Sequence, residues 1–266
     1  MGSATRIRLT VRYDGTGFAG SQVQPARRSG TGEALPPART VSGTLKHGLE
    51  ALTGQPLKLL WASRTDRGVH AESNVCAFDA DLPFPVARLE GALNRRLPPD
   101  LRVRDAAEAP AGWHPRFSAT AREYVYRIWR GDNAPYDRLR FTASYDGEWD
   151  DAAVSQARQA LCGRHDFREF AKEAAKLDST ICDLQVLEER REDGETRWRL
   201  RANRFLRQMV CNLAGTLLAV AAGKVQPGDV AGALVERRSF KVVPAPPRGL
   251  VLMQVMYPPE APGPAW

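Results

Sequence analysis

Cysteine is scarce and scattered in this chain. The four in 266 residues, Cys76, Cys162, Cys182 and Cys211, make no Cys-x-x-Cys pair. That pattern argues against a zinc site and against a disulfide framework, and it fits a reducing compartment. Long apolar runs are also missing. The longest apolar helix pattern, near Met209 to Ala222, is interrupted by Asn212, Gly215 and Thr216, short of the ~20 residues of a membrane span. The N-terminal stretch is not apolar, and Arg6 stands where a myristoylation signal has Ser or Thr. These absences predict a soluble, cytoplasmic protein with no metal.

What the chain has in excess is positive charge. Thirty-eight Lys and Arg against 31 Asp and Glu give a formal charge of +7 and a pI near 9.5, which points to a polyanionic partner without naming it. Hydrophobic content of 43% and charged content of 26% are ordinary for a globular protein, and 266 residues suffice for one or two domains with a full core.

Periodicity places the elements. Arg6 to Tyr13 alternates as a half-buried strand with a basic outer face. Residues 25–39, rich in proline, glycine and arginine, read as a flexible loop. Leu45, Leu49 and Leu52 recur at helical spacing before Gly54. Strand patterns follow at 57–61, 73–78 and 101–105, with a helix over 86–97 that Pro98-Pro99 stops. The second half reads as strands at 124–129, 182–189 and 196–203 and helices at 150–162, 204–222 and 227–237. Strands and helices mixed in both halves indicate an α+β fold.

Residues 62 to 71 read Ala-Ser-Arg-Thr-Asp-Arg-Gly-Val-His-Ala. Gly68 adopts positive φ at little cost, so the segment reads as a sharp turn that brings Asp66 into the open. Arg64 and Arg67 flank it, and neighbouring guanidinium charge favours the ionised carboxylate. An exposed, anionic aspartate among arginines suits chemistry on a phosphate-bearing substrate. The plainer alternative is a solvated Asp-x-Gly surface turn.

Two other chemistries fail on spacing. Gly15, Gly17 and Gly20 form a Gly-x-Gly-x-x-Gly string after a strand, but a dinucleotide site needs a helix opening at the third glycine. Here Ser21 to Pro25 runs into the proline-rich loop, so no nucleotide cofactor is expected. Aspartic-protease chemistry needs two carboxylates on Asp-Thr/Ser-Gly turns, and only Asp66-Arg67-Gly68 is available. His70 lacks a partner histidine or cysteine at ligand spacing and is expected to hold its loop by hydrogen bonding.

The full string Arg64-Thr65-Asp66-Arg67-Gly68-Val69-His70 resembles the catalytic loop of the tRNA pseudouridine synthase A family. Similar segments follow the family's order: Tyr13 to Gly20, Asn94 to Pro98 with Asp100, Arg116 to Tyr124, and Pro244 to Leu252 as a C-terminal strand. The resemblance implies two similar halves sharing a central mixed β-sheet flanked by helices, with the active-site cleft across it. It places the N-terminal half at 1–110, the C-terminal half at 111–258 and a flexible tail at 259–266. It further implies isomerisation of uridine to pseudouridine in the anticodon stem-loop of tRNA (family positions 38 to 40), without cofactor, by a homodimer. Asp66 would be catalytic, Tyr124 would stack on the target base and Arg64 would bind substrate. The glycine-rich loop would lie close against the RNA backbone.

Two positions depart from the family. Ser21 stands where tryptophan is common. Cys211 stands where the family usually has an arginine that pairs with the catalytic aspartate. Arg207, four residues earlier on the helix expected over 204–222, would share that face one turn away, about 5.4 Å along the axis. It is therefore expected to supply the ion pair to Asp66. The alternative is an RNA-binding relative of the same fold with weak or no catalysis.

Overall fold

The computed structural model describes residues 4–25, 29–31, 33–110, 112–132, 134–236 and 243–259. The chain divides into two compact units, Met1–Thr120 with Met253–Trp266, and Ala121–Leu252. Most of the tail expected at 259–266, Arg237 at the end of the last expected helix, and residues 26–28 and 32 of the basic loop lie outside the described residues.

The first unit holds β1 (Thr5–Tyr13), α1 (Val41–Thr53), β2 (Leu60–Trp61), β3 (His70–Ala80), α2 (Leu89–Asn94) and β4 (Leu101–Glu108). Its strands run in the order β4-β1-β3, all antiparallel, with β2 on β3. The two-residue period of β1 sends Ile7, Leu9 and Val11 into the core, each at most 2% exposed. Its other face puts Arg6 on Asp79 and Arg12 on Glu72. Helix α1 begins where Thr40 Oγ1 accepts the Gly43 N–H at 3.1 Å and ends, as expected, before Gly54.

Three elements are shorter than the sequence pattern suggests. Only Leu60 and Trp61 of the run at 57–61 pair as a strand, because the Leu57 N–H is taken by Glu50 Oε1 of α1 at 2.8 Å. The helix expected over 86–97 opens with a 3-10 turn at Val86–Arg88, is α-helical at Leu89–Asn94 and stops there. Arg96 and Leu97 both bond to the Leu93 carbonyl, tightening the turn before Pro98. The last strand starts at Leu250 rather than near Pro244, since Pro244, Pro246 and Pro247 have no N–H to give a ladder.

The second unit holds β5 (Ala121–Arg130), β6 (Ala143–Tyr145), α3 (Asp151–Leu161), β7 (Gly163–Asp166), β8 (Ile181–Glu192), β9 (Glu195–Ala202), α4 (Met209–Ala221) and α5 (Pro227–Val235). The order β5-β9-β8-β7 is antiparallel and β6 runs parallel to β5, which makes the sheet mixed. Trp198, Tyr126, Phe167 and Phe170 are buried at its centre. The closing strand β10 (Leu250–Met256) is divided, with its last residues belonging to the first unit.

Glu195 has no solvent-exposed side-chain surface, yet it receives Arg127 at 2.7 and 2.9 Å and Arg197 at 2.6 Å. Burial pushes its carboxyl up, but the hydrogen bonds and charges of Arg127 and Arg197 outweigh burial and hold it below the usual carboxylate range. A depressed folded value means stability that is complete above the unfolded value, about 4.3, and lost as pH falls through the folded one. Glu195→Gln is expected to cost on the order of 2 kcal/mol at pH 7. That is less than a fully buried pair, because both guanidiniums reach solvent. The variant should also lose part of the wild-type acid transition below that pH. Thermal melts of both proteins between pH 3 and 7 check it, and parallel curves would exclude the assignment.

Candidate active site

Asp66 and Arg64 lie in the first unit, and Tyr124, Arg207 and Cys211 lie in the second. The Asp66 loop folds as the sequence indicates. Gly68 has φ 79° and the Val69 N–H returns to the Asp66 carbonyl at 3.2 Å. Thr65 and Val69 point inward, Asp66 is half-buried, and Arg64 and Arg67 are exposed. Among the described residues neither of these arginines forms an ion pair. They extend from the turn into solvent rather than folding back on the aspartate, and so present guanidinium groups to an incoming anion.

The glycine string packs against this loop. A Cβ on Gly15 would sit 2.1 Å from the Val69 carbonyl oxygen, a distance no side chain can take. The Gly15 N–H donates to His70 Nδ1 at 3.0 Å, and Asp14 Oδ1 lies 3.2 Å from the same nitrogen. His70 thus holds the loop by accepting the Gly15 N–H, as its sequence setting indicates. At Gly15 the close backbone approach is to the protein's own Asp66 loop.

Tyr124, on β5, faces the interior beside Leu200 and is 6% exposed; its ring meets Phe205 edge-on at 5.2 Å. Phe205, missed by the sequence reading, is what supports that ring. The neighbouring Tyr126 is fully buried and donates to the Pro246 carbonyl at 2.9 Å. Of the two tyrosines that alternation places on one face, Tyr126 belongs to the core.

The helix expected over 204–222 starts at Met209, which alters the setting of Arg207. Gln208 is left-handed at φ 58°, and the Arg207 carbonyl is taken by the Lys172 N–H at 3.0 Å. Both features stop the helix from extending back. Arg207 therefore precedes α4 and does not share a helical face with Cys211. Its guanidinium is bonded to Glu173, and both side chains are exposed. Lys176, then Arg207, hold the Glu173 carboxyl below its usual range. Cys211 is buried on α4, its carbonyl accepts the Ala245 N–H at 2.9 Å, and its thiol adds to the burial that pushes the Tyr126 phenol up.

Among the described residues no group of three or more His, Cys, Asp or Glu could hold a metal ion, and no helix is long and apolar enough to cross a membrane.

Residues 157–258 match the family model for tRNA pseudouridine synthase. The chain is 37% identical over 248 residues to the tRNA pseudouridine synthase A of Halalkalibacterium halodurans, covering 92% of this chain and 90% of that protein. The chain belongs to the tRNA pseudouridine synthase A family. It is likewise 36% identical to the Chlorobium limicola member, over 94% of this chain and 99% of that one. The Geobacter sulfurreducens member is 37% identical over the same shares. Membership in the tRNA pseudouridine synthase A family thus spans both units, including the Asp66 loop and the Tyr124 strand.

Proposed function

We propose that this protein isomerises uridine to pseudouridine in the anticodon stem-loop of tRNA, acting in the cytoplasm as a homodimer. The observation that carries the reading is the near full-length similarity to tRNA pseudouridine synthase A proteins, with the Arg64–His70 loop folded as a turn around Asp66. The reaction breaks the glycosidic carbon–nitrogen bond, rotates the uracil and rejoins it through carbon. It is redox-neutral and is balanced without a co-reactant. Asp66 serves as nucleophile or as proton acceptor, Tyr124 holds the base during its rotation, and Arg64 takes a phosphate. Incubating tRNA with the protein and assaying pseudouridine tests the proposal; a tRNA left unmodified at every uridine would reject it.

A polyanionic partner also suits the outer face of the first unit's sheet. Arg12 and Arg102 stand directly opposite across β1 and β4, and Arg104 lies two residues along. Like charges in that position repel, and a phosphate between them relieves the repulsion. Glu72 offsets Arg12 at 3.1 Å, and Asp105 lies 3.5 Å from Arg104. Affinity for tRNA should fall steeply with salt, and Arg12→Gln with Arg102→Gln should reduce the slope of log K against log salt by about 2. Equal slopes for the two proteins would take this face out of the RNA contact.

Arg207 enters the proposal in a reduced role. As half of an exposed pair with Glu173, it is expected to change turnover by no more than about three-fold when replaced by alanine. Glu173→Gln should behave alike. A drop of a hundred-fold in Arg207→Ala alone would restore this arginine as the charge partner of Asp66.

A further inference from the structure

We infer that Ser21 is a positioning residue for the Asp66 loop, clamping the backbone of Thr65 and so fixing where the adjoining carboxylate points. The inference rests on Asp66 acting as the reaction's carboxylate. The Ser21 N–H donates to the Thr65 carbonyl at 3.0 Å, and Ser21 Oγ accepts the Thr65 N–H at 2.8 Å. The same hydroxyl lies 3.3 Å from the Thr65 carbonyl as a donor. Both polar groups of the Thr65 backbone are thereby held by one residue, which is 1% exposed.

The clamp is anchored at its far side. The Ser21 carbonyl accepts the Ser42 N–H at 2.9 Å and the Gly20 carbonyl accepts the Val41 N–H at 3.2 Å, both in the first turn of α1. Those N–H groups have no partner within a helix, so the glycine string caps α1 with its carbonyls and grips Thr65 through Ser21. A second grip reaches the Thr65 side chain. Asn74 Nδ2 donates to Tyr13 Oη at 3.2 Å, and the Tyr13 and Thr65 hydroxyls share a hydrogen bond at 2.8 Å. Burial pushes the Tyr13 phenol up to about 12, against the opposing hydrogen bonds, so it stays neutral. Asn74 also bonds the Ser63 carbonyl at 3.0 Å and N–H at 3.3 Å.

Asp66 is thus the first residue beyond a segment pinned at Ser63 and Thr65. Freedom at Thr65 becomes misorientation of the carboxylate, which costs the chemical step while phosphate contacts elsewhere keep their strength.

Ser21→Ala leaves the buried Thr65 N–H without its acceptor, a loss worth about ten-fold in the local equilibrium. The expected result is kcat for pseudouridine formation down about ten-fold with KM unchanged within two-fold, and amide exchange at Thr65 and Asp66 faster by a similar factor while α2 is unaffected. Ser21→Gly, which removes the same hydroxyl, should give the same pattern and decides the matter if the alanine variant does not fold. Tyr13→Phe, which removes only the second grip, should raise exchange at Thr65 with the first grip intact. A wild-type kcat, a loss confined to KM, or unchanged exchange at Thr65 overturns the inference. If the wild-type protein makes no pseudouridine, the proposed function falls on its own. The exchange measurement still decides the clamp, with faster Thr65 exchange supporting it and unchanged exchange refuting it.

Discussion

Asp66→Asn is expected to lower pseudouridine formation on the order of a thousand-fold or more while tRNA affinity stays within about two-fold of wild type. The amide matches the carboxylate in size and fits the same half-buried position on the turn, but it has no anionic oxygen to attack or to accept a proton. The turn itself does not depend on the carboxylate, since its closing bond runs from the Val69 N–H to the Asp66 backbone carbonyl. Melting temperature measured beside turnover separates a chemical loss from a folding one. Turnover at the wild-type rate would remove Asp66 from the mechanism and return Asp66-Arg67-Gly68 to an ordinary surface turn.

The second large effect is expected at Tyr124. Stacking of an extruded base on an aromatic ring is worth about 1–3 kcal/mol, so Tyr124→Ala should weaken tRNA binding several-fold and reduce turnover further. The ring is largely covered and meets Phe205 edge-on. Its removal therefore also leaves a cavity costing roughly 3 kcal/mol of stability, and the alanine variant alone is ambiguous. Tyr124→Phe keeps the ring and should retain binding within about two-fold. Phe205→Ala opens a comparable void behind the ring and supplies the control for stability. A Tyr124→Ala protein that is destabilised like Phe205→Ala but turns over normally would make Tyr124 a core residue.

The sequence indicated the basic strand β1 and the C-terminal end of α1 because each has a local cause: two-residue alternation, and Gly54 behind the last helical residue. It missed β6 and β7, of three and four residues, because strands that short have no period to detect and form only through their neighbours. The start of α4 was misplaced for a related reason. Arg204 to Gln208 continues a helical pattern of side chains, but the Lys172 N–H claims the Arg207 carbonyl from a loop more than thirty residues away in sequence. That bond and the left-handed Gln208 take Arg207 off the helical face of Cys211, and Glu173, reached through the same loop, holds the guanidinium instead.

The sequence by itself determined the family, the Asp66 turn, the core-facing residues of the regular strands and the positive charge. Each depends on residue identity within a few positions. Only the tertiary structure decided that the glycine string grips the Asp66 loop, that Tyr126 is core while Tyr124 rests on Phe205, and that Arg207 belongs to Glu173. Those outcomes are choices among partners of equal chemical fitness. A backbone N–H, a phenol ring or a guanidinium accepts any suitable neighbour, and which neighbour arrives is set by chain segments far apart in sequence that meet only when the sheet and helices pack.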